Sequence, residues 1–505
     1  MFRTLVRKEI AETVLDLRFV VATVLCVVLI PLGMYVSRED YEQRLTAYQR
    51  EYETYRQRHG TPEPPVTGRE EAQGFRPPSI LSIFASGLDP FLPDKVITSY
   101  TGLFRTVKEP GIDNPQSLLF GKADLLFNIT FVVSLMALIF TFSAVSGERE
   151  RGTLRLMIAN AVPRGRILLS KVVGRYVALL APFLISILIA VLILEVSPDM
   201  SIGSAQVWPV LLVILAATLL FLLGMVCLGV CISTFTRHSM GSIMLLFLVW
   251  AMFLFGVPKI SPMLAETLYR VESGSVIDLT KRMAKDEIER ECQKTERETI
   301  DVRHKAELEA VLGEHEVGLT AREIIRLEIS GREVTLDDPE MNARLRELTA
   351  RYAPERAQLV KDCQTRIAAE LKKIEEDYQN KRTVQFIAAM NLARLSPVSC
   401  YTYVISGLCA TGVTEPDNFV TNARRFQGQV EQAFYEKTIW RLGRLQGFAK
   451  EFDPSKPPAF PDMVYHSPSL KEAMQVHWAD LLLLGVFDVL FFSLAFMRFN
   501  RYDVR

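Results

Sequence analysis

Six stretches of this chain are apolar over about 20 residues, the length a helix needs to cross a bilayer. They lie at 19–36, 125–145, 176–194, 209–233, 239–257 and 481–497. The first five contain no Asp, Glu, Lys or Arg, and the sixth carries Asp488 near its middle. In hydrocarbon no water satisfies backbone N–H and C=O groups, so such segments must close their own hydrogen bonds as helices. The expected fold class is therefore an all-α polytopic membrane protein with six transmembrane helices. Bulk composition hides this, because a chain that is 49% hydrophobic and 23% charged keeps the two kinds of residue in separate blocks.

The lead at 1–18, MFRTLVRKEIAETVLDLR, sets Phe2, Leu5, Val6, Ile10, Val14 and Leu17 at helical spacing, with charges on the other side. That pattern predicts an amphipathic interfacial helix on the membrane surface; the plainer alternative is a cytosolic extension of the first span. The first apolar run is expected to stay as a span. It is long for a signal peptide, and no small-x-small cleavage site follows it. Orientation follows Lys and Arg in the short loops. Seven fall in 146–175, four in the lead, Arg237 in the turn at 234–238, and Arg498, Arg501 and Arg505 in the tail. The loop 196–208 has none. Six spans with both termini cytoplasmic satisfy all of these, which puts 37–124 and 258–480 outside.

Segment 37–124 starts with a polar helical pattern that prolongs the first span, breaks at TPEPPVTG (61–68), and continues as Pro, Gly and short apolar runs. A small packed unit or a surface helix is expected there. In 258–480, Leu359, Cys363, Ile367, Leu371, Ile374 and Tyr378 recur every three or four residues, which argues a helix with one apolar stripe. A partner from 277–312 would make an antiparallel helical hairpin, interrupted by SGREVTLDDPE (330–340); the alternative is a single solvated helix. The run 384–413 is apolar enough for a seventh span, but Arg394 and Pro397 sit at its centre, and an odd count would move the basic tail outside. A pair of short helices on or in the outer leaflet is expected instead, with Asp480 interfacial.

Cys26, Cys227 and Cys231 lie in spans, and Cys227 and Cys231 are expected as free thiols. Cys292, Cys363, Cys400 and Cys409 lie outside, where pairing is permitted. Cys292–Cys363 would staple the hairpin and Cys400–Cys409 a local loop. Catalytic and metal-binding signatures are missing: none of the six histidines falls in HExxH, and there is no G-x-S-x-G and no P-loop. Neither a catalytic residue nor a metal site is expected, nor a cofactor in this chain. Asp488, a carboxylate inside a span, is a functional candidate on cost alone, against the alternative of a structural hydrogen bond to a Ser, Thr or Tyr of a neighbouring span.

The most informative stretch is SGERERGTLRLMIANAVPRGRILLSK, 146–171, between the second and third spans. Leu154, Leu156, Met157 and Ile158 keep helical spacing, with Glu148 and Glu150 near the start, where the helix dipole favours acids. A topology signal explains the arginines but not the two glutamates or the Gly-Thr-Leu. A docking element for a cytoplasmic partner explains all of them.

Span, this stretch, then span resembles the ABC-2 type transporter permeases, in which E-R-E-x-G-T-L opens a short coupling helix and a Pro-led basic run enters the third span. Glu148, Arg149, Glu150, Gly152, Thr153 and Leu154 match that motif, as do Pro163, Ile167, Leu168 and Lys171, with Arg151 and Arg164 beside them. The stretch 393–412 is similar to an S-P-containing segment before the last span of some members. The resemblance implies an ATPase-coupling role for these residues, a cytoplasmic ABC ATPase partner that holds the ATP and Mg, and a second permease subunit, identical or sister. It also implies export across a bacterial cytoplasmic membrane. The large outer segments depart from compact members, so no substrate is carried over. They leave room for a partner protein outside; nothing points to nucleic acid. The competing reading is a non-transporting membrane scaffold or mechanical transducer driven by an ABC-type ATPase; a membrane-embedded enzyme has no motif behind it.

Overall fold

The computed structural model describes residues 2–59, 71–99, 104–107, 122–159, 162–195, 207–312, 339–446 and 461–501. The Pro-rich break at 61–68, most of the loop 196–208, the hairpin interruption up to 338 and Arg505 lie outside the described residues. In chain order come α1 (Phe2–Val14), α2 (Leu17–His59), β1 (Glu71–Phe75), β2 (Lys95–Ser99) and β3 (Phe104–Val107). A helical turn Leu125–Phe127 and a π-helical stretch Asn128–Val133 then lead into α3 (Ser134–Thr141). Next are α4 (Ser146–Glu150), α5 (Thr153–Ala159), α6 (Arg164–Glu195), α7 (Val207–Phe235) and α8 (Ser239–Ala251), which runs through a π-turn into α9 (Val257–Leu268). The remainder is α10 (Gly274–Thr295), α11 (Val302–Leu312), α12 (Pro339–Ala393), α13 (Pro397–Leu408), α14 (Glu415–Gln446) and α15 (Leu470–Asn500). Among the described residues six helices are long and apolar enough to span a membrane, and each contains one of the six apolar runs. The chain is an all-α polytopic membrane protein in its main architecture.

Two compact units form: 1–260 with 393–505, and 261–392. In the first, the core is the helix bundle. Its spans keep apolar side chains on both lipid-facing and buried sides, as expected where lipid is no more polar than the interior. Ser396 caps α13, its Oγ accepting from Val398 N at 3.2 Å and donating to the Phe253 carbonyl at 2.6 Å. Nearly every residue of α13 is buried, and Tyr401 stacks on Phe221 of α7 at 4.4 Å while its hydroxyl meets Thr218 Oγ1 at 2.9 Å. This corrects the expected pair of short surface helices: 384–393 is the end of the 55-residue α12, and only α13 is short. Asp480 is buried within the protein, held by Arg394 at 2.6 and 3.1 Å and by His477 Nδ1 at 3.3 Å.

Segment 37–124 contains a feature that the helical patterns did not reveal. The strands make an antiparallel sheet in the order β1-β2-β3, with Glu71 opposite Ser99 and Thr98 opposite Phe104. α14 lies on it, and Ala72, Val96, Phe419, Ala423, Phe426 and Val430 form a separate small core. A three-stranded sheet buries one face only when something covers it, which here is α14.

The second unit is the helical hairpin. α10 and α12 are joined by a Cys292–Cys363 disulfide with Cα atoms 6.3 Å apart and by Lys281–Glu375 and Arg366–Glu291 ion pairs at 2.5 and 2.9 Å, and the π-helical stretch Glu296–Asp301 after α10 adds Arg356–Asp301 at 2.9 Å. The stripe from Leu359 to Tyr378 is half-buried throughout, as two helices alone can manage. Cys400 and Cys409 are free, as are Cys26, Cys227 and Cys231, so the expected local disulfide is absent. The reason is geometric. Nine residues of helix rise separate the pair by about 13 Å at 1.5 Å per residue, beyond the reach of a disulfide.

Candidate functional site

The residues of 146–171 do not project outward as a set. Glu148 is 3% exposed, Lys171 is fully buried, and their side chains meet at 2.7 Å. Lys171 Nζ also donates to Glu9 Oε1 of α1 at 2.9 Å. Arg175, one turn further along α6, approaches Glu9 Oε2 at 3.5 Å and donates to the Phe140 carbonyl of α3. From the solvent side, Lys8 Nζ reaches Glu148 Oε1 at 3.4 Å. One buried ammonium therefore ties together α1, the loop at α4 and the start of α6.

The close approach of α1 to α6 depends on Gly174. A Cβ there would lie 2.5 Å from Glu9 Cβ and 3.3 Å from the Val6 carbonyl oxygen. Burial pushes the Glu9 carboxyl up, but Lys171, Arg175 and Lys8 outweigh it and hold it below the ordinary value of 4.5. Glu9, Glu12 and Glu148 each bring a carboxylate oxygen within 4.8 Å of the others, a convergence that would suit a metal. The protein meets that charge with its own cations, Lys171 and Lys8.

Arg149 and Glu150 turn the other way. Arg149 NH1 donates to the Thr236 carbonyl at the end of α7, at 2.8 Å. Glu150 caps α8, accepting from Ser239 N at 3.0 Å and from Ser239 Oγ at 2.6 Å. Just before them, the N–H groups of Val145 and Ser146 donate to Ser233 Oγ at 3.0 and 3.1 Å. Gly152 has φ of +75°, the left-handed conformation that breaks α4 from α5 and that glycine adopts at least cost. Thr153 Oγ1 then donates to the Glu148 carbonyl at 3.3 Å, and the fully buried Leu154 anchors α5. Pro163 accepts the first backbone bonds of α6, and Arg164 donates to the Asn500 carbonyl at the end of α15.

The expectation of an outward charged handle is thus corrected for Glu148 and Lys171, which are buried; Arg149 is half-buried, and Glu150 is exposed while it caps α8. What faces outward is Glu150, Arg151, Gly152, Thr153, Arg155 and Leu156, the last 71% exposed. Glu9 and Arg175 were missed in the sequence. Glu9 falls seven residues after Phe2 and three after Val6, on the side of α1 that the apolar pattern assigns to lipid, and Thr13 buries beside it. Arg175 follows Lys171 by four, which puts two cations on one face of α6.

Residues 3–504 match the model of the ABC-2 family transporter protein. The chain belongs to the ABC-2 transporter family. It is a permease-type, transmembrane transporter subunit. No curated protein matches the permease individually.

The last span of the permease carries the second candidate. Asp488 is 8% exposed and lies against Gly224 of α7, where a Cβ would come within 2.5 Å of its Oδ1. Its Oδ2 has no hydrogen-bond partner among the described residues. The nearby Tyr176 hydroxyl donates instead to the Leu219 carbonyl at 2.8 Å. Among the described residues, the structural hydrogen bond to a Ser, Thr or Tyr that would explain Asp488 is not made.

Proposed function

We propose that this permease is the membrane half of an exporter driven by a separate cytoplasmic ABC ATPase, which carries the ATP and Mg and docks on α5. The observation that supports this is the division of labour in 148–171. One side of α5 is sealed to the bundle by Leu154, while Arg155 and Leu156 face solvent beside a loop wired to α1, α6, α7 and α8. Displacement of α5 would be passed to four helices at once, because each connection is a charged or capping hydrogen bond rather than a sliding apolar contact. Both termini then lie in the cytoplasm of a bacterial cell, the helical hairpin outside it, and a second permease, identical or sister, completes the path.

Charge reversal at Glu148 would not test docking, since a third cation beside Lys171 and Lys8 disrupts the loop itself. Arg155→Glu with Leu156→Asp changes only exposed side chains. We expect this pair to abolish copurification of the ATPase while leaving the permease folded, and to stop ATP-dependent transport in vesicles. An ATPase still bound to the pair variant would sink the docking face.

The alternative, a mechanical transducer that moves no solute, draws on the disulfide-linked hairpin, a compact unit of its own. Transport in vesicles lost on ATPase mutation separates the two.

A further inference from the structure

At the end of the bundle that carries α4 and α5, a cleft of about 680 Å³ opens between α1, the α1–α2 elbow, α3, α4, α6 and α8. That volume is in the range of small-molecule sites, about 300–1,000 Å³. One wall is apolar, made by Leu15, Ile139, Phe140 and Phe142. The other carries both signs of charge in alternation. Arg18 stands 3.6 Å from Asp16 and lies over the Phe142 ring at 4.7 Å, and Arg151 stands 3.2 Å from Glu12. Behind them is Arg175, 8% exposed, whose Nε has no hydrogen-bond partner among the described residues.

Two properties narrow the occupant. An ion of one sign would meet attraction and repulsion in equal measure on this wall, whereas a zwitterion meets a complementary charge at each end. The elbow also exposes Leu15 by 86% and Leu17 by 75%, where the first span begins. A water-soluble ligand has no use for those leucines; an acyl chain does.

We propose that this cleft binds the zwitterionic headgroup of a membrane phospholipid. The phosphate would sit toward Arg18 and Arg151, the ammonium toward Glu12 and Asp16, and the acyl chains would leave past Leu15 and Leu17. This goes beyond the exporter reading and does not depend on what, if anything, the permease carries.

The test is native mass spectrometry of the full chain, stripped of lipid in detergent. It is titrated with short-chain phosphatidylethanolamine, with phosphatidylglycerol of the same chains, and with free phosphoethanolamine. We expect phosphatidylethanolamine to bind about tenfold tighter than phosphatidylglycerol, the effect of one charge-assisted hydrogen bond. Arg18→Gln with Arg151→Gln should weaken it by about tenfold or more on the same grounds, while Lys285→Gln on α10 changes nothing. Glu12→Gln should erase the preference between the two lipids without abolishing binding. If the arginine pair variant fails to fold, Glu12→Gln decides alone. Retained phosphatidylethanolamine binding in a folded arginine variant, an unchanged preference in Glu12→Gln, or a preference for phosphatidylglycerol would overturn the proposal. So would free phosphoethanolamine binding as tightly as the lipid.

Discussion

Lys171 is the residue on which the site turns, because it is fully buried and pairs with Glu9 and Glu148 at once. Removing one partner of a buried ion pair costs about 3–5 kcal/mol, mostly from the charge left behind. Lys171→Met should therefore lower thermal stability in detergent severely, and adding Glu9→Gln and Glu148→Gln should recover much of it. A melting temperature unmoved by Lys171→Met would contradict the cluster. The Glu9 carboxyl is held below 4.5, so its contribution is present above that pH and lost as pH falls through the lower folded value. Residues 2–14 should accordingly gain hydrogen exchange as the pH is taken down through that lowered value, below 4.5, with the spans unaffected. Gly152 makes a different kind of contribution. No atom lies within 4 Å of where its Cβ would be, so Gly152→Ala adds no clash and reads only the left-handed backbone, a cost of about 1–2 kcal/mol.

Among the elements, the hairpin gives the cleanest prediction. Its disulfide closes a separation of 71 residues, and the loop-entropy model values that constraint at about 4 kcal/mol. α10 has no buried residue, so little apolar burial is available to replace it. Cys292→Ser with Cys363→Ser should raise hydrogen exchange along α10 and the paired part of α12 and leave α6, α7 and α15 protected. Equal protection in both forms would mean that the ion pairs suffice. The apolar stripe that announced this hairpin was legible because it repeats locally. The sheet of 71–107 was not. Its strands are four or five residues long, and EAQGF carries no alternation that a loop could not share; α14, more than 300 residues further on, is what covers them.

For the whole molecule, the proposed topology puts Arg155 in the cytoplasm and Lys285 outside. A single cysteine at position 285 should react with an impermeant maleimide in intact cells, and one at position 155 only after permeabilisation; the reverse pattern would invert the assignment. By itself the sequence determined the number of spans, the family and the apolar stripe of α12, which pointed to a hairpin and left a single solvated helix open. These depend on length, period and local motif, which act within a few turns of chain. Only the tertiary structure decided what the charges of 146–171 do. Glu148 and Lys171 could be read as surface groups until α1 crossed α6 at Gly174 and brought Glu9 between them, a contact 162 residues apart. Burial, not residue type, turned a charged loop into the bolt that holds four helices together, and burial is a property of the assembled bundle.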